Sequence, residues 1–119
     1  MRIRLIADNN ITRRMGLMGH KPLEEDECAY FYFKTAGKYS FWNNNVSFPI
    51  SLIFCNNEGK VKDIQFLEPN QLEGVSSEGY DIHHVIEAHK DAPKIYGIDK
   101  DCCLTIEGSG ISFKKGKEI

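Results

Sequence analysis

Short apolar runs separated by polar turns dominate the pattern of this chain. Residues 2–7 alternate basic and apolar side chains, which predicts a strand with one wet face. The run 50–54 is short, β-branched and aromatic, which is typical of a buried strand, and a turn at residues 56–59 closes it. By the same criteria we predict strands at residues 28–33, 60–67 (with a bulge near Lys62-Asp63), 80–88, 102–106 and 111–114, the last at a sheet edge.

Two segments carry helix signals, and both are short. Thr12 is a suitable N-cap for a helix through Met18, and Asp91 for a helix through Tyr96. Helical stretches of this length do not make a repeating βαβ series. The pattern therefore predicts a mainly β fold, a compact antiparallel β-sandwich or half-open barrel of about six to eight strands with one or two short helices.

The segment 41–49 differs from the strands around it. Trp42, the only tryptophan, is followed by three asparagines and then by Pro49. Asparagine side chains compete for backbone hydrogen bonds and proline cannot donate one, so the chain is expected to bend here. A large ring, several amides and a bend fit either the wall of a polar cleft or a tight structural corner. The polar loop 68–80 is long enough to gate such a cleft.

The composition is that of an ordinary small domain. A length of 119 residues predicts one domain over 1–119, and the net charge of −2 argues against nucleic-acid binding. No run has the length of a membrane span or the apolar core of a signal peptide, so we expect a soluble, cytoplasmic protein. Basic residues occur near both ends and are expected to be scattered surface charge: Arg2, Arg4, Arg13, Arg14, Lys114, Lys115 and Lys117.

Cysteine usage excludes the common zinc and thioredoxin-like motifs. Cys28, Cys55, Cys102 and Cys103 include no C-x-x-C spacing. Their apolar neighbours predict free, buried thiols in a reducing compartment. The adjacent pair Cys102-Cys103 would point to opposite faces of a strand, which disfavours a redox role.

A cluster of histidines is the strongest metal or catalytic signal. On a strand, His83, Glu87 and His89 would share one face while His84 lies on the other. Residues four apart on a strand lie about 13 Å apart, too far to share one metal ion. We therefore predict no metal and no cofactor. A hydrolase that pairs His83 or His84 with Glu87 or Asp81 stays open as the alternative function, as does a metal-binding protein that uses the His83/His84/Glu87 region.

The second candidate site is a polar cleft near Trp42 and Asn45, completed by Arg13 or a carboxylate. It favours a non-catalytic module that binds a small molecule or a protein, and it predicts that Trp42→Phe or Asn45→Ala removes affinity. The opposing interpretation is that Trp42 plugs the edge of the core and Asn45 ties down a loop. The protein itself is expected to be a monomer or a weak homo-oligomer.

The order and spacing of several motifs resemble family 192 of the domains of unknown function. The resemblance covers roughly residues 1–106 and leaves 107–119 as a C-terminal extension. The motifs that carry it are Thr12-Arg13-x-x-Gly16-Leu17-Met18, Phe31-Tyr32-Phe33, Phe41-Trp42-x-x-Asn45-x-x-x-Pro49-Ile50-x-Leu52-Ile53-Phe54, Glu58-Gly59, Val85-Ile86-Glu87, Gly97-Ile98 and Asp101.

The resemblance implies a mainly β fold with a small helix after the first strand, and no known reaction or cofactor. It also implies that many relatives are exported, which this chain's start does not suggest. The chain differs from the usual family pattern at Asn43-Asn44, Ser51 and His20, where relatives carry Met-Lys, Asp and Arg. The matching polar residues, Arg13, Trp42, Asn45 and Glu87, are the predicted ligand-binding set. A buried Arg13–Glu87 pair would be a structural explanation for two of them.

Overall fold

A curled seven-stranded sheet forms the body of the protein, and a two-stranded ribbon lies beside it. The computed structural model describes residues 1–116. Over that range it confirms the mainly β prediction. The elements are β1 (Arg2–Ala7), α1 (Asn10–Met15), β2 (Glu27–Gly37), β3 (Ser40–Phe41), β4 (Ile50–Cys55), β5 (Val61–Leu67), β6 (Val75–Ser76), β7 (Ile82–His89), α2 (Ala92–Ile95), β8 (Cys102–Glu107) and β9 (Gly110–Lys115).

The strand order of the large sheet is β5-β4-β7-β2-β1-β9-β8. Only β1 and β2 pair in parallel among the described strands; the other neighbours are antiparallel. An isolated bridge between Lys60 and Cys103 brings the two ends of the sheet together, so the sheet curls into a half-barrel. The ribbon consists of β3 and β6.

Both faces of the sheet are covered, which explains why every residue of β4 is buried. One cluster contains Phe31, Phe54 and Val85 and is closed by Leu17, just after α1. The other contains Ile53 and Ile86, with three of the predicted buried cysteines (Cys28, Cys55 and Cys102). Alternation along the central strands thus places neighbouring residues in different cores.

Both ends of the first helix and the position of the last strand differ from the sequence predictions. Helix α1 begins after Asn9, whose side chain accepts from the Thr12 amide at 2.9 Å, so Asn9 is the N-cap and Thr12 completes a capping box. The helix ends at Met15 because Gly16 has a φ of +49°. The strand at 111–114 is no edge strand, since β9 lies between β1 and β8.

Other local predictions are confirmed or extended. The β4–β5 register passes from Phe54–Asp63 to Cys55–Val61, so the predicted bulge lies at Lys62. Strand β2 extends to Gly37, into the turn expected at residues 36–38, and the long loop contributes β6. Beyond residue 106, Glu107 ends β8 and residues 110–115 form β9, so this part of the chain contributes a strand to the sheet.

Three of the terminal basic residues in the described range are paired with acids. Arg2 pairs with Asp26 at 3.1 Å and Arg4 with Glu27 at 2.5 Å, while Lys115 pairs with Asp99. Lys117, part of the predicted basic cluster, lies outside the described residues. In residues 1–116, no helix has the length and hydropathy needed to cross a membrane.

The β4–β5 turn closes the half-barrel and gives a first prediction. Gly59 has a φ of +86°, and a Cβ there would lie 2.9 Å from the main-chain oxygen of Leu104. The Leu104 amide also donates to the Gly59 oxygen at 2.7 Å. Gly108 has a similar φ of +59°, but a Cβ added at Gly108 would have no atom within 4 Å.

We expect Gly59→Ala to lower the free energy of unfolding by at least about 1 kcal/mol more than Gly108→Ala does. Both variants suffer the left-handed backbone penalty of about 1 kcal/mol, and only Gly59→Ala adds the clash. Urea denaturation of the two variants measures the difference. Equal losses would show that the turn does not constrain the closure of the sheet.

Candidate functional site

A cleft of about 290 Å³ opens between α1 and the sheet face that carries Phe31 and Glu87. Residues 13–18, from α1 and the turn after it, form one side. The other side consists of aromatic side chains and a few polar groups, and Glu87 lies between the two sides. The lining on that second side comprises Phe31, Phe33, Tyr39, Ser40, Phe41, Trp42, Asn44 and Val46.

Contacts among the aromatic rings hold the wall of the cleft in place. The rings of Phe33 and Tyr39 stack with centroids 3.6 Å apart, and Phe31 meets Phe41 edge to face at 5.2 Å. The Tyr39 hydroxyl donates to the Thr35 main-chain oxygen. Such pairs stabilise by about 1 kcal/mol each beyond area burial. The cleft is therefore preformed rather than a gap between loose side chains.

Glu87 is the one acidic residue of the lining, and it is buried. It lies on β7 opposite Ala29 of β2 and Leu52 of β4, and only 4% of its surface is exposed. Within residues 1–116, neither a hydrogen-bond donor nor a cation contacts its carboxyl group. Burial in these apolar surroundings raises the pKa of Glu87 to about 8. The carboxyl group is therefore mostly protonated at neutral pH.

The two arginines of α1 differ in how firmly they are held. Arg13 donates to the Tyr32 main-chain oxygen at 2.8 Å and to Asn10 Oδ1 at 3.0 Å, and its guanidinium lies 5.1 Å from the Phe33 ring centroid. Arg14 is exposed and makes no ion pair or hydrogen bond through its side chain in the described part of the chain. The suggested Arg13–Glu87 ion pair does not form, although both residues line the cleft.

Trp42 stands at the rim of the cleft rather than in the core. Half of its surface (50%) is exposed. Its neighbour Asn44 is half-buried and also contributes to the lining. Three of the four predicted site residues, Arg13, Trp42 and Glu87, are thus brought together by elements distant in sequence.

Asn45 is not part of the lining. It adopts a left-handed conformation with φ of +58°, and its main-chain oxygen accepts from the Gly19 amide at 3.1 Å. The buried amide of this segment belongs to Asn43, which donates to the oxygens of Phe48 and Glu68, both at 3.0 Å. The sequence analysis missed Asn43; the run of three asparagines marked the segment but not the buried member.

The predicted histidine site does not assemble. His83 Nδ1 lies 3.0 Å from the Phe33 main-chain oxygen, and His84 Nδ1 lies 2.7 Å from the Tyr30 hydroxyl. Burial lowers the pKa of His84, which favours the neutral form of its ring. Neither ring lines the cleft or contacts a carboxylate in residues 1–116.

A different acidic group with His89 is geometrically close enough to hold a metal. Ligand atoms of Glu25, His89 and Asp91 lie within 4.8 Å of one another. Both acids are exposed, and His89 Nδ1 already accepts from the Asp91 amide at 3.1 Å. We therefore interpret these three side chains as solvated surface groups.

The loop 68–80 supports the cleft wall from outside. Ser76 and Val75 of β6 pair with Ser40 and Phe41 of β3, and both β3 residues line the cleft. No described residue of the loop itself lines the cleft. The predicted gating role stays a prediction.

These features define a class: a small, mainly β half-barrel domain with a preformed cleft between its first helix and its sheet. The family model DUF192, described as an uncharacterized ACR, matches residues 2–106, and the chain belongs to this family. The resemblance inferred from the motifs is therefore confirmed.

Solved structures share the fold. A proposed transcription regulator from Sinorhizobium meliloti 1021 superposes with a TM-score of 0.76 at 19% identity, over 95% of this chain and 80% of that one. A protein of unknown function from Novosphingobium aromaticivorans DSM 12444 gives 0.76 at 20% identity, over 94% and 74%. No match was found among curated protein sequences. At these identities the similarity establishes the fold alone.

The turn at Asn45 gives a second prediction. Alanine should lower the free energy of unfolding by about 1 kcal/mol because it tolerates a positive φ poorly, and glycine should preserve it or raise it slightly. Thermal unfolding of Asn45→Ala and Asn45→Gly measures both effects. A larger loss for glycine than for alanine would mean that the side chain, not the backbone conformation, matters here.

The buried carboxyl group gives a third prediction. The pKa of Glu87 rises from 4.5 to about 8 on folding, so the unfolded chain binds fewer protons between these values and stability falls as pH rises through them. Glutamine does not ionise, so Glu87→Gln removes this pH-dependent loss of stability. We expect the variant to match the natural protein at pH 4 and to exceed it by about 3 kcal/mol at pH 7.

Urea denaturation across this pH range tests the prediction. A matched control is Glu107→Gln, which changes an exposed carboxylate at the end of β8. That variant should leave the pH profile unchanged. A Glu87→Gln protein that is less stable than the natural one at pH 7 would contradict the assignment of a protonated carboxyl.

Proposed function

We propose that this protein is a non-catalytic small-molecule binding module and that the cleft beside α1 is its site. The observation that carries the proposal is the Glu87 carboxyl group, which is buried, faces the cleft and has no partner among the described residues. Its oxygens are open to the cleft rather than sealed in the core, since Asn43 Oδ1 is the only fully buried side-chain nitrogen or oxygen without a partner among the described residues. Accessible polar groups of this kind bond to solvent or to a ligand. A ligand in the cleft would provide a direct hydrogen-bond partner.

A buried carboxyl group at position 87 lowers the stability of the fold, which favours a functional role for Glu87 over a packing role. A hydrophobic side chain at position 87, opposite Ala29 and Leu52, would extend the core without any ionisation penalty. Proteins keep such destabilising groups mainly at functional sites. The cleft volume of about 290 Å³ suits a ligand of metabolite size, near the lower end of known pockets.

The alternative, a hydrolase built on His83 or His84, has less support. Catalytic histidines need a concave site and a carboxylate that orients the ring. A main-chain oxygen and a tyrosine hydroxyl orient these two rings instead. Three free cysteines buried in the core favour a reducing compartment, and on that basis we place the protein in the cytoplasm. We further propose that it is a monomer or a weak homo-oligomer.

Trp42 offers a direct readout for a fourth prediction, because the only tryptophan lies half-exposed at the rim. A panel of organic acids, amino acids, nucleotides and sugars should include one class that changes Trp42 emission saturably and raises the unfolding temperature. Asn44→Phe, which fills the lining, should weaken that binding at least tenfold.

The control is Ser47→Phe, which adds the same ring to the same segment at an exposed position outside the lining. It should bind as the natural protein does. Binding that survives Asn44→Phe would place the site elsewhere, and a panel without any effect would remove the support for a small-molecule site.

A further inference from the structure

Resting on the proposed function, we infer that the cleft takes a small organic acid that also carries a neutral oxygen acceptor. In this arrangement the acceptor oxygen receives a hydrogen bond from the protonated Glu87 carboxyl. The apolar body of the ligand lies along the aromatic wall, and its anionic group meets Arg14 at the helix side of the cleft.

The first support is the charge of the lining. Its charged residues are Arg13, Arg14 and Glu87. With Glu87 neutral, both remaining charges are positive, so the cleft attracts anions and repels cations. Arg13 uses two of its donors within the protein, whereas Arg14 has all of its donors available to a ligand.

The second support is the isolation of Glu87 from both arginines. Burial alone accounts for its raised pKa, with no counteracting cation nearby. All three residues line the cleft, and no ion pair joins Glu87 to either arginine within residues 1–116. A ligand can therefore meet the guanidinium groups and the carboxyl group at different points. A basic ligand would have to ionise Glu87 in apolar surroundings, which carries a large desolvation penalty, and would have to pass two like charges.

The surrounding titratable groups are few, and they are otherwise engaged. Glu27 on β2 is paired with Arg4, and the Tyr39 hydroxyl donates to Thr35. His89, two residues from Glu87 on β7, lies 3.9 Å from the Asp91 carboxylate and is not part of the cleft lining. The facing residues on β2 and β4, Ala29 and Leu52, do not titrate. The pH dependence of binding should therefore follow Glu87.

The test uses matched probes and calorimetry on the whole protein. The acid probes are 4-acetylbenzoate and 4-acetylphenylacetate, which differ in length by one carbon. The comparison probes are 4-ethylbenzoate, which lacks the acceptor, and 4-ethylbenzylamine, which reverses the charge. We expect an acetyl acid to bind at least fivefold more tightly than 4-ethylbenzoate and the amine not to bind.

The pH dependence of ligand affinity is the more discriminating measurement. With a pKa of about 8, deprotonation of Glu87 should weaken the acetyl acid about tenfold between pH 6.5 and pH 9. Glu87→Gln should bind within a few-fold of the natural protein and show no pH dependence, because the amide also donates. Arg14→Gln should weaken binding, whereas Lys94→Gln, an exposed charge on α2, should not.

The opposite results would overturn the inference. Tighter binding of the amine as pH rises, abolished by Glu87→Gln but still sensitive to Asn44→Phe, would identify a basic ligand and leave the proposed function intact. Binding of the acids that is insensitive to Asn44→Phe would instead remove the proposed site. No binding of either acid at 10 mM would reject the ligand class.

Discussion

The central constraint on this structure is a carboxyl group placed inside an apolar sheet. Strand β7 lies between β2 and β4, where the cross-strand neighbours of Glu87 are the apolar residues Ala29 and Leu52. An unpaired charge there would cost several kcal/mol, and the group stays neutral instead. Glu87 lines the cleft beside α1, so a molecule in the cleft can reach its carboxyl group. The position of Glu87 on β7 therefore accounts both for the cost to stability and for the proposed binding site.

The rest of the fold positions the walls of that cleft. The capping box at Asn9 and Thr12 fixes where α1 begins, and Gly16 turns the chain so that Leu17 reaches the core. On the other side, Asn43 ties the segment after β3 to the end of β5, through the Phe48 and Glu68 oxygens. Its own Oδ1 is buried without a partner, so even this anchor is incompletely satisfied.

The sequence predicted what depends on local pattern. Alternation located the first strand, and short β-branched or aromatic runs bounded by turns located the others. The spacing of Val61 and Ile64 located the bulge, and parity along β7 placed Glu87 and His84 on opposite faces. It could not tell which of three asparagines is buried or that Asn45 needs a positive φ, because those follow from contacts with Gly19, Phe48 and Glu68. Trp42 and Glu87 line one cleft although they are far apart in sequence, for the same reason: tertiary packing joins segments that local patterns treat separately.

A carbon-13 NMR titration of the Glu87 side-chain carboxyl would show directly whether this group is protonated at neutral pH. The Glu87→Gln protein assigns its signal. The account predicts a carboxyl that stays protonated at pH 7 and titrates near pH 8. A midpoint near the ordinary value of 4.5 would contradict it. The carboxylate would then be solvated or paired, and the reason for assigning the cleft a ligand would be lost.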